Sequence, residues 1–202
     1  MIRGGYNAGI KKVKKFCIVL AYSYLCRAMK KLVALFVLLL TLACCTTEAD
    51  RTRMRAALDS INQRNRNDQP FTVQDVEPYV QFFDRHGTSN DRLLAHYLLG
   101  RAYHEQGEAP MALECYQKAA ECADTTSKDC DYRQLCRVHA QMAQIYYEQG
   151  LYREQLVFQR LASKHAWKSK DTLAALMSYT QENEAYRNLN MPDSLLYIIA
   201  VR

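Results

Sequence analysis

Between Leu93 and Ala119 the chain sets small and large residues at intervals that suit two antiparallel helices joined by a tight turn. With Leu93 counted as position 1, Leu99 and Gly100 fall at 7 and 8, Tyr103 at 11, Gly107 at 15, Ala112 at 20, Tyr116 at 24 and Ala119 at 27. Small side chains at 8, 20 and 27 let the two helices, and the hairpin that follows, approach closely. Large ones at 4, 7, 11 and 24 fill the space between. Gly107 supplies the left-handed residue that ends the first helix. His96 stands at position 4, which places it between packed helices. A pattern of this kind is a packing code and carries no catalytic meaning.

The same spacing returns 43 residues later, with Arg137 at position 2 and Met142, Ala143, Tyr146, Gly150 and Ala162 at 7, 8, 11, 15 and 27. His139 again takes position 4. Gln155 replaces the small residue at 20, and Phe158 puts an aromatic at 23 instead of 24, an offset that predicts a second helix rotated or splayed. The extra length falls in the Asp124–Tyr132 stretch, read as a longer helix or loop. A third copy, 40 residues on, has Tyr186 at 11 and Asn190 at 15. Prolines sit in loops or at helix starts, and no sustained apolar–polar alternation suggests strands. Helices are predicted over 51–65, 73–85, 91–106, 109–123, 130–149, 152–165, 170–189 and 193–201.

Seven of nine positions in the first copy match the pattern of the tetratricopeptide repeat, which this stretch resembles; His96 departs at 4, where Trp is common, and Asp124 at 32, where Pro is common. The resemblance implies an all-α fold, a tetratricopeptide-like α-solenoid of stacked helical hairpins behind an N-terminal signal and lipid-anchor segment. On that reading 51–90 is an N-terminal hairpin, 91–126 the first repeat, 127–168 a second, degenerate one, and 169–202 a third that stops about a turn short. Its last segment (Leu195, Leu196, Ile198, Ile199, Val201) is apolar with nothing after it, from which we expect a fragment of a longer product. The resemblance also implies a concave groove lined by first helices at positions 2, 5, 9, 12 and 13. These are Leu94, Tyr97, Arg101, His104 and Glu105, then Arg137, Ala140, Gln144, Tyr147 and Glu148. Tyr97, Arg101, His104, Arg137, Gln144 and Tyr147 are the candidate partner contacts, since aromatics and Arg dominate interface hot spots. The family's clamp for carboxylate tails uses Lys at 5 and Asn at 9; Tyr97 and Arg101 depart from it.

The first 45 residues read differently. Leu32 to Cys45 is a 14-residue apolar run behind Met29, Lys30 and Lys31. That is short for a span of about 20 residues and suits an export signal. The alternative is a membrane anchor joining Phe16–Cys26 to this run, which places Arg27, Lys30 and Lys31 near the bilayer centre at about 2.5 kcal/mol or more each. Leu40-Thr41-Leu42-Ala43-Cys44 resembles the lipobox of bacterial lipoproteins, in which the signal is cut before a cysteine that carries lipid on its sulfur. Cys44 is the expected attachment site and Cys45 the competitor. We therefore divide the leader into 1–28, a possible upstream extension with Met29 as the alternative start, 29–43, the signal, and 44–50, the anchor and tether. More widely, residues 29–202 are similar to repeat-containing lipoproteins common in Bacteroidota-type bacteria. The likeness runs through Arg85-His86-Gly87-Thr88 to Leu98-Leu99-Gly100, Glu108 to Tyr116, and Trp167 to Leu173. It implies a lipid-anchored place in the bacterial cell envelope, on the periplasmic side or outer surface.

Charge narrows the partners. The chain carries +6 overall, but eight basic residues and no acidic ones precede Leu32. The remainder holds 19 of the 27 basic residues against all 21 acidic ones, a net of −2, so nucleic acid loses its electrostatic support. Cys115, Cys122, Cys130 and Cys136 are spaced too widely for paired metal ligation. Cys122–Cys130 or Cys115–Cys136 disulfides are open, as is the reading of Cys115 and Cys136 as small core residues. His104-Glu105 opens like a zinc-protease motif, yet Glu108 stands where the second histidine belongs. No cofactor, metal or catalytic set is called for. The residues favour a membrane-anchored scaffold that binds a protein or peptide; a sensory ectodomain of a longer signalling protein is the alternative.

Overall fold

Helix ends in this chain are written into its capping residues. In the computed structural model, which describes residues 48–190, Thr72 and Thr88 each form a reciprocal capping box, with Asp75 and Asp91 respectively. Asp131 and Asp171 accept from the backbone N–H groups of Gln134 and Ala174. These caps open α2 (Val73–His86), α3 (Ser89–Glu105), α5 (Tyr132–Glu148) and α7 (Thr172–Asn188). α4 (Ala109–Cys122) and α6 (Tyr152–Lys168) instead start directly from tight turns. A further helix, α1, runs through 48–66. All the described elements are helical. The predicted 130–149 helix is shorter than expected, because residues 123–131 form the connecting loop. The Asn90 side chain holds that loop, donating to the Asp129 carbonyl at 2.7 Å and accepting from the Asp131 N–H at 3.1 Å.

Gly107 and Gly150 end α3 and α5 at φ +79° and +72°, and the following N–H reaches back five residues in each case: Glu108 to Tyr103 at 3.0 Å, Leu151 to Tyr146 at 2.8 Å. Asn190 adopts the same left-handed conformation, φ +53°, at the matching position after α7. The A-type helices, the first of each repeat (α3, α5 and α7), thus all end on a left-handed residue, one of them without glycine. By their contacts the described residues from Arg53 onward form one compact unit. Its helices pack in chain order, α2 on α3, α3 on α4, α4 on α5, α5 on α6 and α6 on α7, with a minor contact between α3 and α5. That succession of hairpins is a solenoid.

Gly100 and Tyr116 show why small and large positions alternate. A Cβ built on Gly100 would lie 2.5 Å from the Tyr116 ring, so glycine is what lets α3 and α4 close around a fully buried tyrosine. Ala112 and Ala119 are likewise fully buried. The second hairpin is built differently. The Phe158 offset feeds a ladder of rings alternating between α5 and α6. Tyr132 stacks on His165 (5.8 Å between centroids), His165 on His139 (5.1 Å), His139 on Phe158 (6.3 Å) and Phe158 on Tyr146 (5.3 Å). Lys168 caps it, 4.9 Å over the Tyr132 ring. Both histidines are kept neutral, His165 held down to about 4 by burial and by neighbouring His139, Lys168 and Lys164, His139 held low by burial.

The N-terminal hairpin is tied on by Arg55 of α1, whose guanidinium meets both carboxylate oxygens of Asp91 at 2.8 and 2.7 Å. Burial works against that carboxylate, yet the bonds from Arg55 and Thr88 outweigh it and hold Asp91 below the usual range. The four cysteines among the described residues are free. Cys115 and Cys136 are buried, and burial pushes the Cys115 thiol up to about 11.

Candidate partner-binding groove

The A-type helices α3, α5 and α7 present one face to a cavity of about 550 Å³. From α3 it takes Arg101, His104 and Glu105, and from α5 Ala140, Gln141, Gln144 and Glu148. Gln155 and Gln159 of α6 form part of the lining, and Met177, Ser178 and Gln181 of α7 complete it. A second cavity of about 230 Å³, lined by Asn65, Gln69 and Phe71 among others, adjoins the first at Arg101 and Glu105.

Arg101 works as a bolt between helices. Its guanidinium donates to Asn65 of α1 at 3.1 Å, to Gln141 of α5 at 2.9 Å and to Glu105 of its own helix at 2.6 Å. His104 meets Glu148 at 3.0 Å, a second link from α3 to α5, and Gln144 donates to the other oxygen of the same carboxylate at 2.9 Å. Burial raises the Glu148 carboxyl, but these two partners overcome that and lower it. Both carboxylates of the groove, Glu105 and Glu148, are therefore bonded from within it. Five carboxamides share the lining, of which Gln155 and Gln159 are buried, and Gln159 donates to the Ser178 carbonyl at 3.0 Å.

The structure distributes the six candidate contacts unevenly. Arg101, His104 and Gln144 line the cavity. Tyr97 does not: it is 4% exposed, its ring tilted 6.1 Å from Tyr116 within the main apolar cluster. A tyrosine ring offers a large apolar area, and burying it against Tyr116 outweighs displaying it. Arg137 is half-buried and outside the lining. Tyr147 is 43% exposed and packs its ring 6.2 Å from Tyr152, at the α5–α6 turn rather than in the cavity. The residues missed were Gln141, Gln155, Gln159 and the α7 set. Gln155 had a visible signal, a long polar residue where the repeat uses alanine. His96 and His139 sit between helices as the pattern implies, His96 bonded to Asp84 at 2.9 Å and His139 to the Leu135 carbonyl at 2.9 Å. Cys44 and Cys45 lie outside the described residues, as does the 193–201 segment. Among the described residues no group of three His, Cys, Asp or Glu is placed to hold a metal ion, and no helix is long and apolar enough to cross a membrane.

Residues 93–125 match the tetratricopeptide repeat family. No curated protein matches the chain in sequence. Among solved structures, it is similar to the nearly identical TPR-like repeats of the Podosopora anserina putative kinesin light chain and to a single-substitution variant of them. Each pairing has 19% identity and a TM-score of 0.53, covering 70% of this chain and 69% of the other. At that identity the likeness speaks to the fold: an all-helical solenoid of tetratricopeptide type.

Proposed function

We propose that this chain is a protein-binding scaffold, without catalysis, that receives a segment of a partner protein in the groove between α3, α5 and α7. The carrying observation is the cavity itself, to which three successive A-type helices each contribute side chains. Such a surface is continuous only when the hairpins are stacked, so the fold and the binding face are one feature. The test is affinity capture with the purified chain, comparing the native sequence, Gln144→Arg in the groove and Gln117→Arg on the exposed face of α4. Captured proteins should be lost with Gln144→Arg and retained with Gln117→Arg. Equal capture by all three would sink the groove reading.

We further propose that Cys44 carries lipid and holds the scaffold in a bacterial cell envelope. Support comes from the basic start, the 14-residue apolar run and the Leu40–Cys44 stretch. Two or more acyl chains give firm attachment, where one is marginal. Intact-mass analysis of the membrane form should find a diacylated or triacylated species beginning at Cys44 that disappears in Cys44→Ala. An unmodified chain retaining residues 1–43 would contradict it and favour the membrane-anchor alternative.

A further inference from the structure

We infer that the outward face of α6 rests on an anionic lipid bilayer, with Trp167 seated at the headgroup level and the partner groove turned away from the membrane. The surface is distinct from that groove. Exposed positions of α6 recur along one line, at Arg153, Val157, Arg160, Lys164 and Trp167. At about 100° per residue they fall within about 80° of arc, and none of them is acidic. Gln155 and Gln159, which line the groove, lie about half a turn away round the same helix.

Positive charge is concentrated here. Residues 153–170 hold five basic side chains against one carboxylate, Glu154, in a chain that is net acidic from Leu32 onward. Arg153 and Lys164 make no ion pair among the described residues, and Arg160 meets only the buried Glu182, at 3.8 Å. Cations left in this state complement an anionic surface.

The apolar groups set among them choose the kind of surface. Trp167 and Val157 are 57% and 56% exposed. A bilayer interface suits the indole, because its apolar body enters the headgroup region while its N–H stays wet. Arg160 and Lys164 also edge a cavity of about 450 Å³ lined by Leu156, Val157 and Leu161, with Glu182 completing the described lining. Cations beside an apolar floor match lipid phosphates above their acyl chains, and long Arg and Lys stems bridge the two levels. An acidic protein segment answers the cations but leaves that floor unmatched.

Trp167 is the only tryptophan of the chain, so tryptophan fluorescence reports this face alone. Full-length protein is reconstituted from detergent into vesicles of phosphatidylcholine, or of phosphatidylcholine and phosphatidylglycerol in equal parts, with and without brominated acyl chains. In the anionic vesicles the emission should shift to shorter wavelength and be quenched by the brominated chains; in the neutral ones it should do neither. Raising NaCl from about 50 to about 500 mM should release the indole. Arg153→Gln and Lys164→Gln should each lower the docked-to-free ratio about fivefold, the share of one cation at an anionic surface. Lys118→Gln, on α4, should leave it unchanged. All three positions are exposed, so the variants keep the fold.

Unchanged emission in the anionic vesicles, whether or not the chain floats with them, would overturn the inference and leave the groove and the Cys44 anchor to their own tests. Equal quenching in neutral and anionic vesicles would overturn it too, because charge would play no part. So would an equal shift on adding soluble polyglutamate to the neutral vesicles, which would point to an acidic protein. An indole already shielded from acrylamide in neutral vesicles would mean that residues 193–201 or a second copy covers the face, again overturning it.

Discussion

Replacing Tyr116 with alanine is expected to destabilise the chain by about 3–5 kcal/mol, the loss seen when a fully buried aromatic is truncated. The ring is wholly buried between α3 and α4, and the backbone at Gly100 has been shaped to admit it. The companion prediction is a change of sign. In the native background Gly100→Ala should destabilise by about 1–3 kcal/mol, because its Cβ would sit 2.5 Å from a ring held in a packed core. Alanine's higher helix propensity, worth about 1 kcal/mol, is too small to offset that. In the Tyr116→Ala background the obstruction is gone, and Gly100→Ala should stabilise by about 0.5–1 kcal/mol. Urea unfolding of the four proteins measures the coupling. Additive effects would mean that Gly100 and Tyr116 do not share this contact.

Acid should act on a different hairpin. His165 titrates near 4 in the folded chain and near 6.5 when unfolded, so its neutral form favours the fold. A depressed histidine contributes stability in full above the unfolded pKa and loses it as pH falls toward the folded one. Between pH 6.5 and 4 the loss should be on the order of 2–3 kcal/mol, with His139 adding to it in the same direction. Protonating either ring places a cation between stacked rings and against the other histidine, and at His165 also near Lys168 and Lys164. His165→Phe keeps a ring in the ladder and removes its titration. It should flatten most of the pH dependence of the melting temperature across that window. The carboxylates held low, Asp91 and Glu148, begin to lose their contribution only toward the acid end of this window, so the slope between about pH 6.5 and 5 isolates the histidines. An unchanged slope in His165→Phe would show that the ladder is not where acid acts.

What the sequence disclosed, and what it hid, follows from how local each feature is. Gly107, Gly150 and Asn190 could be placed at helix ends because a left-handed cap depends on a few consecutive residues. The Gly100–Tyr116 contact was legible because the repeat spacing fixes which residues of one hairpin meet. Tyr97 was misread because the generic groove position takes no account of how much apolar area its occupant can bury beside Tyr116. Arg101 was found, but its three partners come from residues 36 and 40 positions away as well as from its own helix. No local pattern reveals that. The ladder lay in plain view as Tyr132, His139 and Tyr146 at seven-residue spacing, answered by Phe158 and His165 at the same spacing. Its meaning required the antiparallel register of α5 on α6. The α7 side of the groove was invisible because the third copy keeps only positions 11 and 15 of the pattern.

The most direct test of the groove as the partner surface is site-specific photocrosslinking in the native host. A benzophenone amino acid would be placed singly at Gln144, at Gln181 and at Gln117. Gln144 and Gln181, on different helices but one cavity, are expected to crosslink the same partner, and Gln117 none of it. Crosslinks confined to Gln117, or different partners at Gln144 and Gln181, would contradict a single binding face across α3, α5 and α7.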